Sequence, residues 1–174
     1  MSAKTPSTDN NANPLPYPRA FESIVYGGLV VGVLDITDAI TFSWFWRGTK
    51  PATILQSVAA GLVGREAAFN GGAKTAVLGL MLHFLNATLF AIAFYLMSRF
   101  LPILTRQAVI SGLLYGVAAY LLMTYVVLPL SALGPRTRPI PLVAQLNGYI
   151  GHALLVGLPI ALIAQWSARR RAKG

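Results

Sequence analysis

Charged residues are missing from three long stretches of the chain: none lies between Lys74 and Arg99, between Arg106 and Arg136, or between Arg138 and Arg169. Each gap holds the roughly 20 apolar residues that cross a ~30 Å hydrocarbon core as a helix. A fourth stretch, Ser23 to Phe45, is equally apolar apart from Asp35 and Asp38. The pattern predicts spans near residues 23–45, 75–97, 108–130 and 142–165. The fold class is therefore all-α: a polytopic membrane protein built as a four-transmembrane-helix bundle, its transmembrane domain covering residues 21–168. Residues 1–20 are polar and rich in Pro, Ser, Thr and Asn, which reads as a flexible tail without the apolar core of a cleavable signal peptide. The first span is then expected to serve as the insertion signal, and residues 169–174 form a basic C-terminal tail.

The connections carry patterns of their own. Pro51 to Gly64 predicts a short helix, with Thr49 as N-cap and proline in the first turn. Ile54, Leu55, Val58 and Leu62 fall on one face, and a run of this length is too short to cross, so it is expected to lie in the interface. The loop GPRTRPIP is held extended by Pro135, Pro139 and Pro141. Gly28 with Gly32, and Gly112 with Gly116, form two GxxxG pairs. Lipid supplies no hydrophobic drive between helices, so close approach over small residues provides dispersion contacts instead. These pairs predict seams within the bundle, with homo-oligomer formation through one of them as the alternative. GLVVGV from Gly28 is similar to GLLYGV from Gly112, and His83 and His152 each precede Leu by two and six residues. Two parallel hairpins related by duplication would give this pattern.

Composition agrees with the spans. The 174 residues are 55% hydrophobic and 11% charged, against about 25% charged in an average globular domain. That excludes an ordinary soluble domain and a disordered chain. No nucleic-acid partner is expected either, because such modules set basic residues on water-exposed faces. Fourteen Lys and Arg against five Asp and Glu give a formal charge of +9. The basic residues fall in tails and loops, and their slight excess on the side of the termini favours both termini in the cytoplasm. Arg169, Arg170 and Arg171 beside Trp166 suit the anionic headgroups of the lipid bilayer, and Trp44 and Trp46 close the first span at the opposite interface. Cysteine is absent, so disulfides, thiolate metal sites and cysteine nucleophiles are excluded.

The scarce acids mark the candidate site. Asp35 and Asp38 lie three apart and project from one helix face. Two aspartates near mid-span cost ~5–7 kcal/mol on the insertion scale, and the eleven Ile, Val, Leu and Phe residues from Ile24 to Phe45 return ~3–7. The first helix is marginal in lipid alone and needs partners for its carboxylates. Counting depth from the side of the termini sets Asn86 level with Asp35 and His83 level with Asp38. His152, Tyr120 and Thr124 come to a similar depth, while Gln145 and Asn147 fall nearer the far interface.

Several chemistries fit such a layer. Carboxylates and imidazoles relay protons or take up cations, because burial moves a carboxylate up toward neutrality and a nearby acid holds an imidazole close to it. Asp35, Asp38, His83 and His152 also suit a divalent metal, Zn²⁺ or Mn²⁺ by ligand type. The two histidines could ligate a haem axially. Against these stands a structural or accessory membrane subunit, working beside a membrane partner subunit, in which the cluster only locks helix packing through interhelical hydrogen bonds. No nucleophile elbow, phosphate loop or HExxH occurs, so nothing else in the sequence points to an enzyme.

GGLVVG in the first helix, MLHF to SRFLP in the second, GLLYG with a terminal VVLPL in the third, and GHALLVGLP before a basic end in the fourth resemble the YagU-like bacterial inner-membrane proteins. The likeness covers residues 24–170 and omits the first-helix DITD. It implies a four-helix, multi-pass protein of the bacterial inner (cytoplasmic) membrane, with no assigned reaction.

Overall fold

Four helices take up the four apolar stretches in the computed structural model, which describes residues 17–173. Each is long and apolar enough to cross a membrane: α1 (Glu22–Arg47), α4 (Gly72–Phe100), α6 (Ala108–Leu130) and α7 (Leu142–Lys173). Between α1 and α4 lie the short helices α2 (Pro51–Val63) and α3 (Arg65–Asn70), and α5 (Ile103–Arg106) precedes α6. No strand occurs among the described residues. The expected flexible tail at 1–20 lies outside the described residues up to position 16. Pro18 is fully buried, and the Arg19 amide donates to Ser167 Oγ at 2.8 Å, so the last part of that stretch is anchored. The basic tail is likewise not separate: α7 runs unbroken through Arg169–Arg171 to Lys173. Arginine is a good helix former, and positive charge is favourable at a helix C-terminus.

Small residues set the interior. Val31, Phe94, Val156 and Ile160 are the larger side chains of the core, and the rest of that cluster is Ala87, Ala91, Ala108, Ala161 and Ala164. Leu, Met and Val side chains such as Leu29, Met81, Leu85 and Leu114 face outward. This inversion of the usual globular pattern is what lipid permits, since leucine gains nothing by leaving hydrocarbon for a protein interior. The glycine pairs form the expected seams within the bundle. Gly28 and Gly32 bring α1 against Thr88 and Phe84 of α4, while Gly112 and Gly116 bring α6 against Gly157, Leu158 and the His152 carbonyl of α7. In each hairpin the second glycine therefore meets the stretch that carries the histidine, as a duplicated unit would have it.

α2 follows its expected bounds but not its expected cap or packed face. Lys50 occupies the N-cap position with no side-chain cap bond, and Pro51 opens the helix. Buried are Gln56, Ala59 and Ala60, whereas Leu62 is 60% exposed. Leu55 and Ala59 lie on Gly79 of α4, where no side chain would fit, and Gln56 Nε2 donates to the Gly72 carbonyl at 3.0 Å. At its other end the Gly61 carbonyl accepts from the Ala132 amide at 2.9 Å, which ties α2 to the end of α6. Of the apolar stripe read from the sequence, Ile54, Leu55 and Val58 are half-buried and only Leu62 is exposed. The fully buried positions go to small residues, as in the rest of the bundle.

Candidate functional site

The α1–α4 seam sets the level of the first histidine. Gly27 faces Ala91, Gly28 faces Thr88 and Gly32 faces Phe84. This register lies about one turn from the one obtained by counting from the span ends, because the glycine contacts and not the helix ends fix it. His83 accordingly meets Asp35 and not Asp38: its Nδ1 is 3.9 Å from Asp35 Oδ2, an ion-pair distance too long for a hydrogen bond. Its Nε2 lies 2.9 Å from the Gly32 carbonyl oxygen. A carbonyl only accepts, so Nε2 carries hydrogen and Nδ1 is the nitrogen turned toward Asp35. Asn86 makes no hydrogen bond to Asp35 among the described residues, contrary to the depth count.

Asp38 takes a different partner. Asn147 Nδ2 of α7 donates to its Oδ2 at 2.9 Å. A methyl group added at Gly151 would come 3.0 Å from the same oxygen, so this carboxylate lies directly on the α7 backbone. Asn147 was expected nearer the far interface, away from the acids. Its spacing from Gly151 was the available signal, since a polar residue and a glycine four apart share one helix face. Beside Asp38 a cavity of about 510 Å³ is lined by Thr41, Phe42, Phe45, Trp46 and Asn147 as well as the carboxylate itself.

The remaining members gather on the α6–α7 seam. The Tyr120 ring stands 4.7 Å from Tyr149 and 5.3 Å from His152, edge to face in both cases. Gly148 provides the room for it. Thr124 is buried one turn further along α6. His152 opens a π-helical turn, His152–Gly157, and forms no ion pair with a carboxylate among the described residues. The layer expected from sequence thus divides into a carboxylate part, Asp35, Asp38, His83 and Asn147, and an aromatic part around Tyr120 and His152. No group of three or more His, Asp or Glu side chains is gathered to hold a metal ion among the described residues. His83 and His152 face different neighbours: the first bonds the Gly32 carbonyl, and the second meets the Tyr120 ring edge to face.

A further acid escaped the sequence reading. Glu22, at the start of α1, is 8% exposed, with Arg19 Nη1 at 3.5 Å and Arg170 Nη1 at 3.8 Å from its Oε1. Arg170 also lies over the Trp166 ring at 4.9 Å. The expected lipid-facing cluster therefore gives one of its three arginines to an internal contact between the two ends of the chain.

Four long apolar helices joined over glycine and alanine seams, with carboxylates on an interior face, define a polytopic α-helical membrane protein. No protein-family model, curated protein or solved structure matches the chain.

Proposed function

We propose that the protein handles protons or cations across the bacterial inner membrane, with Asp35 and His83 as the proton-binding pair and Asp38 as the carboxylate that admits them. The observation that carries this reading is the fixed orientation of His83. With Nε2 held on the Gly32 carbonyl, Nδ1 and the Asp35 carboxylate form one site that holds a single extra proton, taking the pair from one negative charge to none. A neutral pair is cheaper in hydrocarbon than a charged one, so uptake is favourable once a path exists. The open recess beside Asp38, on the side of the α1 C-terminus, supports entry from that side. The inner-membrane location rests on the likeness to YagU-like proteins, and the cytoplasmic placement of both termini on the basic residues near them.

Proteoliposomes carrying a trapped pH dye, under an imposed membrane potential, test this directly. Wild-type protein should acidify or alkalinise the lumen according to the sign of the potential. Asp35→Asn and His83→Gln should fall to the level of empty vesicles, and Asp38→Asn should be slowed. Wild-type vesicles no faster than empty ones would sink the proposal.

The Asp38–Asn147 hydrogen bond favours a second reading, an accessory subunit whose polar groups lock helix packing. On that reading Asn147→Ala lowers unfolding stability by about 0.6–1.7 kcal/mol, and no variant changes a flux that the wild type does not have.

A further inference from the structure

At the end of the bundle opposite the termini, a second cavity of about 830 Å³ is lined by Arg47, Arg65, Arg136 and Arg138, with Thr124 and Thr137 among its other walls. The four arginines come from three separate parts of the chain: the last residue of α1, the first of α3 and the loop between α6 and α7. No Asp or Glu lines the cavity, and none of the four forms an ion pair among the described residues. Arg47 lies over the Trp46 ring at 4.1 Å, a contact that leaves its positive charge uncompensated.

Setting four arginine residues around one space, with no acid among them, concentrates positive charge there, which an anion would relieve. Nothing in the local sequence demands the gathering, since long exposed side chains are free to splay apart into water. The rim also resists collapse. Pro129, Pro135, Pro139 and Pro141 stiffen the wall and offer no backbone N–H, so the arginines are the principal donors. Guanidinium donors are planar, fixed in charge and matched to two oxygens of a phosphate at once. The volume falls within the roughly 300–1,000 Å³ of small-molecule sites and is generous for an inorganic ion alone.

We infer that this cavity binds an organic phosphate, held by Arg47, Arg65, Arg136 and Arg138. Two sources share that chemistry: a phosphorylated solute entering from the aqueous side, and the headgroup of an anionic phospholipid reached from the bilayer. The site is independent of the Asp35–His83 pair and stands or falls separately from it.

The test uses the full chain in neutral detergent and follows its thermal unfolding and calorimetric titration with two probes. These are glycerol 3-phosphate, and short-chain phosphatidylglycerol below its micellar concentration. At least one should bind and raise the unfolding temperature. Binding to the phosphatidylglycerol alone identifies the lipid source, and binding to glycerol 3-phosphate identifies the solute. Arg136→Gln with Arg138→Gln should weaken binding by about tenfold for each guanidinium removed. Both positions lie in an exposed loop, and helicity by circular dichroism checks that the double variant folds. Arg99→Gln with Arg106→Gln, at the opposite end and outside both arginine clusters, should leave binding unchanged. The inference is overturned if neither probe binds, if the loop variant binds like wild type, if the opposite-end variant weakens binding equally, or if sodium chloride of matched ionic strength gives the same stabilisation.

Discussion

At the scale of single residues, the glycines of the α6–α7 seam carry the clearest energetic consequence. A methyl group at Gly116 would run into the His152 carbonyl and lie 2.7 Å from Ala153 Cα, both backbone atoms that cannot turn aside. Gly116→Ala should therefore destabilise the protein by about 1–3 kcal/mol through a forced shift of the two helices. Gly61 is the contrast. Its nearest neighbour would be Ser131 Oγ at 3.8 Å, an ordinary contact, and it lies inside a helix. Gly61→Ala should stabilise by about 0.5–1 kcal/mol, the helical advantage of alanine over glycine. Denaturant unfolding of both variants in mild detergent checks the opposite signs. At this scale the sequence made the acids and histidines legible, because polar groups stand out in an apolar run. Their pairing was not. Asp35 with His83, and Asp38 with Asn147, depend on a register that glycine contacts set to within one turn, and hydropathy does not resolve one turn.

Among the helices, α2 makes its tightest approach to the bundle at one point. Its Leu55 carbonyl meets α4 at Gly79, and the buried Gln56, Ala59 and Ala60 follow from that contact. Gly79→Val should therefore lift α2 from the bundle while leaving the long helices in place. The chain has no cysteine, so a single Ala59→Cys reports this without background. Its thiol should resist maleimide in the parent and react readily when Gly79→Val is added. Equal protection in both would mean that α2 is held by something other than the seam. The long helices were readable as elements because charge gaps measure the bilayer. The face that α2 buries was not, because the stripe of Ile54, Leu55, Val58 and Leu62 predicts an interior only where water drives leucine inward. Helix α3 was missed as well: six residues with two charges give no period to detect.

For the whole molecule, an even number of crossings puts the start of α1 and the end of α7 at one end and the arginine-lined cavity at the other. The described residues at the cavity end include Arg47, Lys50, Arg65, Lys74, Arg136 and Arg138 against the single acid Glu66. With both termini cytoplasmic, a membrane-impermeant maleimide should label Thr137→Cys in intact cells and Lys173→Cys only after lysis. The reverse pattern would invert the orientation and place the cavity in the cytoplasm. Proton entry near Asp38 and anion binding among the arginines would then occur on one face, whichever face it is, because both cavities border the end of α1.

The contacts that complete α1 also fix an order of events in time. Asp38 finds Asn147 across 109 positions of sequence, and the Arg19 amide finds Ser167 across 148. During synthesis at about 5–20 residues per second, the first of these intervals lasts on the order of ten seconds. Through that wait the least lipid-compatible helix is already made, and its second carboxylate has no partner. Assembly must then hold α1 beside protein or water until α7 arrives and Asn147 docks on Asp38. The last helix to be made is therefore the one that finishes the first.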